Sequence, residues 1–294
     1  MRVAERTLLT PEGPPQPQGP SPPKDAWPPE GAWPPWTAPL ALVGGLVLAA
    51  VAGLVVDLPA LALGVKVTSS HTPAGLALAD TFVQDLAFVG AAVYCAHLGG
   101  RAVHSWHFGL VAPRKGWRYA AGGVLVLLAA FGLLSVVWSL IVSPGREKVL
   151  DQLGADAASA AVICVVAPMC EEMLFRGYIF MALRNWRGTL VAASITAVLF
   201  GGVHAGSAPV LDLVPLAALG FGLCLLYRRT GSLYPCMAAH SLNNSVAFAS
   251  LAGLTFLEGA ALALAALAGI ALVVVICRRV GLIGSARAPA GAGA

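Results

Sequence analysis

The sequence predicts an all-α membrane protein, a polytopic transmembrane helix bundle of about eight spans with a polar site inside it. Three observations carry that expectation. The 294 residues are 58% hydrophobic and only 11% charged, the composition of a chain whose outer surface meets lipid. Apolar stretches recur at about the 20 residues a helix needs to cross a bilayer. Carboxylates, a guanidinium and histidines nevertheless stand inside three of those stretches, where an ionisable group costs a few kcal/mol at least and so marks a functional site.

The first 39 residues hold twelve of the 21 prolines, with Trp27, Trp33 and Trp36 among them. They read as a disordered, polyproline-like tail. No cleavable signal is expected there, because the first basic residues lie some thirty positions from the first apolar run. The apolar segments then fall at 38–65, 80–98, 119–142, 160–183, 189–206, 209–227, 233–252 and 255–277. The fifth and sixth almost touch at Ala208–Pro209, which leaves a broken helix open. Asp57, Asp80 and Asp85 are placed near membrane interfaces and given no chemistry. The connection from Gly99 to Arg118, with His104, Trp106, His107 and Trp117, reads as an interfacial segment.

Basic residues set the orientation. Alternate connections carry fourteen Lys and Arg on one side and three (Lys66, Arg146 and Lys148) on the other, while Arg176 lies within a span. A multi-pass protein of the cell membrane with both termini cytoplasmic is expected. The net charge of +4 is small and scattered, so the lipid bilayer is an expected partner and nucleic acid is not. Six cysteines without a CxxC pair read as buried thiols.

The fourth span carries Glu171, Glu172 and Arg176. Glu172 and Arg176, at i and i+4, can pair on one helix face, and Glu171 is rotated about 100° away. Glu172 is therefore expected to stay ionised beside the guanidinium, leaving Glu171 to accept and return a proton. In the fifth span Phe200 precedes His204 by one turn, and Gly201 and Gly202 would let a neighbouring helix approach. In the seventh, His240 and Asn244 share a face. Counted from the cytoplasmic charges, Glu172, His240 and His204 lie about 18, 17 and 26 Å deep, close enough for one polar site between the fourth, fifth and seventh spans.

Glu171-Glu172-Met-Leu-Phe-Arg176, Phe200-Gly-Gly-Val-His204 and His240-Ser-Leu-Asn-Asn244 resemble the three ordered motifs of the CPBP family of intramembrane proteases (CAAX proteases and bacteriocin-processing enzymes, also called Abi). The type II CAAX prenyl endopeptidases belong to it. The resemblance implies a core domain at about 157–250. Around it are expected the tail 1–39, N-terminal transmembrane helices and a basic cytoplasmic loop at 40–156, a last helix at 251–283 and a disordered tail at 284–294. It further implies that Glu171 acts as general base on a water with help from His204. His240 and Asn244 would stabilise the oxyanion, and Glu172 and Arg176 would support them. The expected partner is a protein or peptide substrate.

Family members have been described both as glutamate proteases and as metalloenzymes. Catalysis without a cofactor is the preferred version, and zinc held by Glu171, His204 and His240 is the alternative, since Glu plus two His is an acceptable zinc set. A non-catalytic scaffold or bacteriocin-immunity protein of the same fold is the second functional class. A transporter is the third, weakened by the absence of an inverted repeat.

Overall fold

A computed structural model of the protein describes residues 33–65, 72–98, 103–142 and 153–283. Lys66, Arg146, Lys148, residues 1–32 of the tail expected over 1–39 and the tail expected over 284–294 lie outside the described residues. Among those described, every regular element is helical. We label them α1 (Thr37–Ala62), α2 (Ala74–His97), α3 (Trp117–Ile141), α4 (157–187), α5 (189–202), α6 (Leu213–Thr230), α7 (Tyr234–Leu251) and α8 (Phe256–Arg279). Six helical runs are long and apolar enough to cross a membrane; Ala157–Gly202 counts among them as one run of 46 residues. α7 falls short because its face carries His240, Ser241, Asn243, Asn244 and Ser245.

The run Ala157–Gly202 turns back at Gly188, whose φ of 77° and ψ of 177° are open to glycine and unfavourable for other residues. Phe175 and Phe200, at nearly equal separations either side of that turn, meet edge to face at 5.2 Å, so α4 and α5 run antiparallel. The sequence separates these two spans at the same place.

α4 is the central helix. From Leu174 to Ala182 nothing is measurably exposed, whereas α3 buries only Ala120 and Val124, packs Leu127, Leu128 and Phe131 partly against the core and turns most of its other large apolar side chains outward, as a lipid-facing helix must. Asp156 caps α4, its Oδ1 accepting from the Ser159 N–H at 2.8 Å. That bond holds the carboxyl below its usual range. α1 and α2 form a tight pair: Gly45 sits against Phe88, where an added Cβ would come within 3.1 Å of the ring.

Several expectations are corrected. The tail does not run to residue 39: Trp33 is buried, donates from Nε1 to the Gly177 carbonyl at 3.3 Å and packs on Phe108 and Tyr178. A large indole with a satisfied N–H outweighs the proline-rich context. α2 begins at Ala74 behind Pro73, not at 80, so Asp80 and Asp85 lie inside the helix and Asp85 is 1% exposed. The connection before α3 is not merely interfacial. A turn at Ser105–Phe108 buries Phe108, and the carbonyls of Phe108, Leu110 and Val111 accept from Tyr227 on α6, Tyr234 on α7 and Ser232 between them. α5 ends at Gly202, which leaves His204 in the connection to α6. The six cysteines are free, five of them buried, as expected.

Candidate active site

α4 carries the acids in an unusual helix. Its backbone is π-helical over Val162–Val166, α-helical over Ala167–Glu172 and π-helical again over Met173–Phe180. In the first π segment the Ala167 N–H bonds five residues back to Val162. The next residue is Pro168, which has no N–H to offer. The Ile163 carbonyl it leaves, and that of Cys164 beside it, are taken from across the bundle: Asn244 Nδ2 donates to Ile163 O at 2.9 Å, and Ser241 Oγ to Cys164 O at 2.6 Å. α7 is thereby fixed to α4 beside the two glutamates.

Glu172 and Arg176 pair as their spacing predicts. Arg176 Nη1 donates to Glu172 Oε1 at 2.8 Å, and both residues are fully buried. The guanidinium also donates from Nη2 to Gly220 O at 3.3 Å and lies 4.3 Å over the Phe200 ring. Glu172 Oε1 is shared with His240 Nδ1 at 2.9 Å. A carboxylate only accepts, so Nδ1 carries the hydrogen. His240 Nε2 is then turned toward Glu171, 3.9 Å from its Oε2.

Glu171 has a different environment. It is 9% exposed, Oε2 has no hydrogen-bond partner among the described residues, and it lines a cavity of about 530 Å³. His204, Asn243, Asn244, Asp80 and Gln84 line the same cavity. His204 Nδ1 meets the Phe200 carbonyl at 2.8 Å. A carbonyl accepts only, so in the neutral ring Nε2 is the free acceptor. Phe200 ties these groups together, its ring 5.1 Å from that of His204 and 5.5 Å from that of His240.

All six sequence-derived residues therefore gather around one centre. Glu171, His204 and Asn244 face the cavity, while Glu172, Arg176 and His240 lie behind or beside it. Asn244 spends one of its two N–H groups on Ile163. For the zinc alternative the fit fails in this conformation: among the described residues no three His, Cys, Asp or Glu side chains converge to hold a metal. The residues missed from sequence are on α2, where Asp80, Thr81, Gln84 and Phe88 recur at helical spacing along the cavity wall. That periodicity was the available signal.

Fold and site together define a multi-pass helical membrane protein whose buried Glu-Arg-His centre opens on an internal cavity. Residues 154–246 match the family model described as type II CAAX prenyl endopeptidase Rce1-like. The chain is 30% identical over 132 residues to the protein of Bacillus subtilis (strain 168) named "Putative membrane peptidase YdiL", a match covering 43% of this chain and 53% of that protein. It is 30% identical over 139 residues to "UPF0177 protein YxdF" of Lactococcus lactis subsp. lactis (strain IL1403), covering 47% of this chain and 72% of that protein. The match to the Bacillus protein thus spans about half of its length. No solved structure matches the chain. The chain belongs to the CPBP family.

Proposed function

We propose that the protein is an intramembrane endopeptidase that hydrolyses a peptide bond of a membrane-associated protein or peptide with a water activated by Glu171. The observation that carries the reading is the division of labour between adjacent acids. Glu172 is fully buried and its Oε1 is neutralised by Arg176 and His240, while Glu171 lines the cavity with no hydrogen bond to either carboxylate oxygen among the described residues. A general base must reach its proton without competing partners, and of the two adjacent acids Glu171 meets that condition.

Glu171 takes a proton from water as the oxygen attacks the scissile carbonyl. His204 Nε2 accepts a hydrogen bond from the same water and orients it. The oxyanion that forms receives the second Asn244 N–H and, when it carries a proton, His240 Nε2. Each donor aimed at such an oxyanion contributes about 3 kcal/mol in a water-poor site. Glu172 fixes the His240 ring and Arg176 fixes Glu172. The leaving amine recovers the proton from Glu171. No step calls for a metal. Both chain ends are assigned to the cytoplasm on the distribution of basic residues.

The test is a comparison of small membrane-associated peptides in cells making the parent protein or Glu171→Gln at equal levels. Precursors are expected to accumulate in the variant. Identical peptide pools, with the cellular role intact, would leave a scaffold of the same fold as the better account.

A further inference from the structure

We infer that the cleft where the ends of α3, α5 and α6 meet binds the phosphate of an anionic phospholipid headgroup. The site is separate from the glutamate centre and does not depend on the endopeptidase reading.

Four cations line a cavity of about 570 Å³ there: Arg114 and Lys115 just before α3, and Arg228 and Arg229 in the last turn of α6. Tyr119 and Thr189, at the starts of α3 and α5, complete the lining. Each of these side chains can donate a hydrogen bond, and among the described residues no carboxylate lines the cavity. The fold holds the cations together. The Arg114 N–H donates to the Thr230 carbonyl at 3.0 Å and Ser232 Oγ to the Val111 carbonyl at 2.6 Å, which ties the connection before α3 to the end of α6. Lys115 Nζ lies 5.0 Å over the Tyr119 ring. Like charges gathered in this way repel one another. A phosphate relieves the repulsion, and its oxygens match the forked N–H groups of arginine.

The level of the cavity places that phosphate on a lipid. Lys115 stands two residues before α3 begins and Arg229 one residue before α6 ends, so the cations sit where membrane-length helices leave the apolar layer. Trp117, Tyr119 and Trp186 are exposed beside these helix ends, as rings at headgroup level are. Further along, α3 turns Leu125 and Val126 outward and α5 turns Leu190 and Val191 outward, an apolar surface for acyl chains. A soluble phosphate gains nothing from that surface, and a zwitterionic lipid brings a cation of its own into the cleft. An anionic lipid satisfies both the charge and the apolar border.

The experiment titrates the full chain in detergent with short-chain phosphatidylglycerol or its phosphatidylcholine analogue, with and without inorganic phosphate, and reads binding by native mass spectrometry. The parent is expected to bind phosphatidylglycerol about tenfold more tightly than phosphatidylcholine, with inorganic phosphate leaving the lipid in place. Replacing both exposed arginines, Arg228→Gln with Arg229→Gln, should weaken phosphatidylglycerol by about tenfold. Arg278→Gln with Arg279→Gln removes the same charge from the end of α8, where Arg278 reaches Tyr234 and Tyr234 stacks on Trp117 at the same boundary, outside the cavity. That pair should change binding by less than about twofold. Equal weakening by the two pairs reduces the effect to general surface charge and overturns the site, as does equal binding of the two lipids or displacement by inorganic phosphate. Glu5, Glu12, Asp25, Glu30, Glu147 and Asp151 lie outside the described residues, so the titration is repeated with all six made amides. Unchanged binding is expected; lipid binding that appears only in that variant assigns the cleft to the chain's own acids and overturns the proposal.

Discussion

Asn244 donates from its side-chain amide to the Ile163 carbonyl at 2.9 Å, and it does so because Pro168, five residues after Ile163, has no N–H to place there. Ser241 does the same for Cys164 at 2.6 Å. A proline in one helix thus creates the docking points for another, and the contact brings the His240 helix against the Glu171 helix. Ser241→Ala should strip a buried carbonyl of its partner and lower stability by about 1 kcal/mol. Pro168→Ala restores an N–H that can serve one of those carbonyls. The double variant should therefore lose less than the sum of the two single losses, a coupling that thermal unfolding in detergent would read as a double-mutant cycle. Strict additivity would dissociate Pro168 from the docking.

The two adjacent glutamates should fail differently. Glu172→Gln leaves the fully buried Arg176 without its counter-charge, which costs about 3 kcal/mol or more. Glu171→Gln removes a charge that has no hydrogen bond among the described residues and borders a cavity. Its unfolding temperature should stay close to the parent's, while peptide hydrolysis falls by a factor of about 100 or more. Equal destabilisation by the two substitutions would contradict the division of labour drawn here.

Much of this arrangement was legible in the sequence because it depends on spacing within single helices. The Glu172–Arg176 pair is an i, i+4 contact, and the turn between α4 and α5 falls at Gly188 between two apolar runs. What was not legible depends on how helices meet. Nothing in the apolar run Val162–Val166 distinguishes a π-helix from an α-helix, although Pro168 signals that something must replace its missing donor. Gly201 and Gly202 look equivalent in sequence. Only Gly201 faces α6, because which side of α5 is covered is settled by packing. Trp33 was hidden among prolines, and its partners Phe108 and Tyr178 lie far along the chain. Asp80 was assigned to an interface because the helix opens at Pro73, about two turns earlier than its apolar run suggests, and Gln84 gave no sign of which neighbour its face would meet.

That difference between two glycines is measurable. A Cβ on Gly201 would come within 2.7 Å of the Leu213 carbonyl and 3.1 Å of Ala217 Cβ, whereas one on Gly202 would meet nothing within 4 Å. Gly201→Ala should push α5 from α6, cost about 1–3 kcal/mol and reduce hydrolysis, since the neighbouring Phe200 packs on His240 and Arg176. Gly202→Ala should be tolerated. Parallel melting curves and rates for the two variants check the contrast.

The metal-free version of catalysis makes its own demand. Hydrolysis by purified protein should persist in strong chelator, and elemental analysis should find no stoichiometric zinc. Loss of activity that zinc alone restores would require Glu171, His204 and His240 to close around an ion in another conformation, because they do not converge on one here.

The orientation of the chain can be tested at two positions in successive connections of the sequence. With the native cysteines replaced, single cysteines at Lys66 and Arg114 would be offered a membrane-impermeant thiol reagent in intact cells. Arg114 stands between α2 and α3 among a cluster of basic residues that includes Lys115 and Arg118, the kind of segment retained in the cytoplasm. Lys66 follows α1 in a connection with one basic residue. The cysteine at 66 should react from outside and the one at 114 only after permeabilisation. Labelling of 114 alone in intact cells would invert the topology.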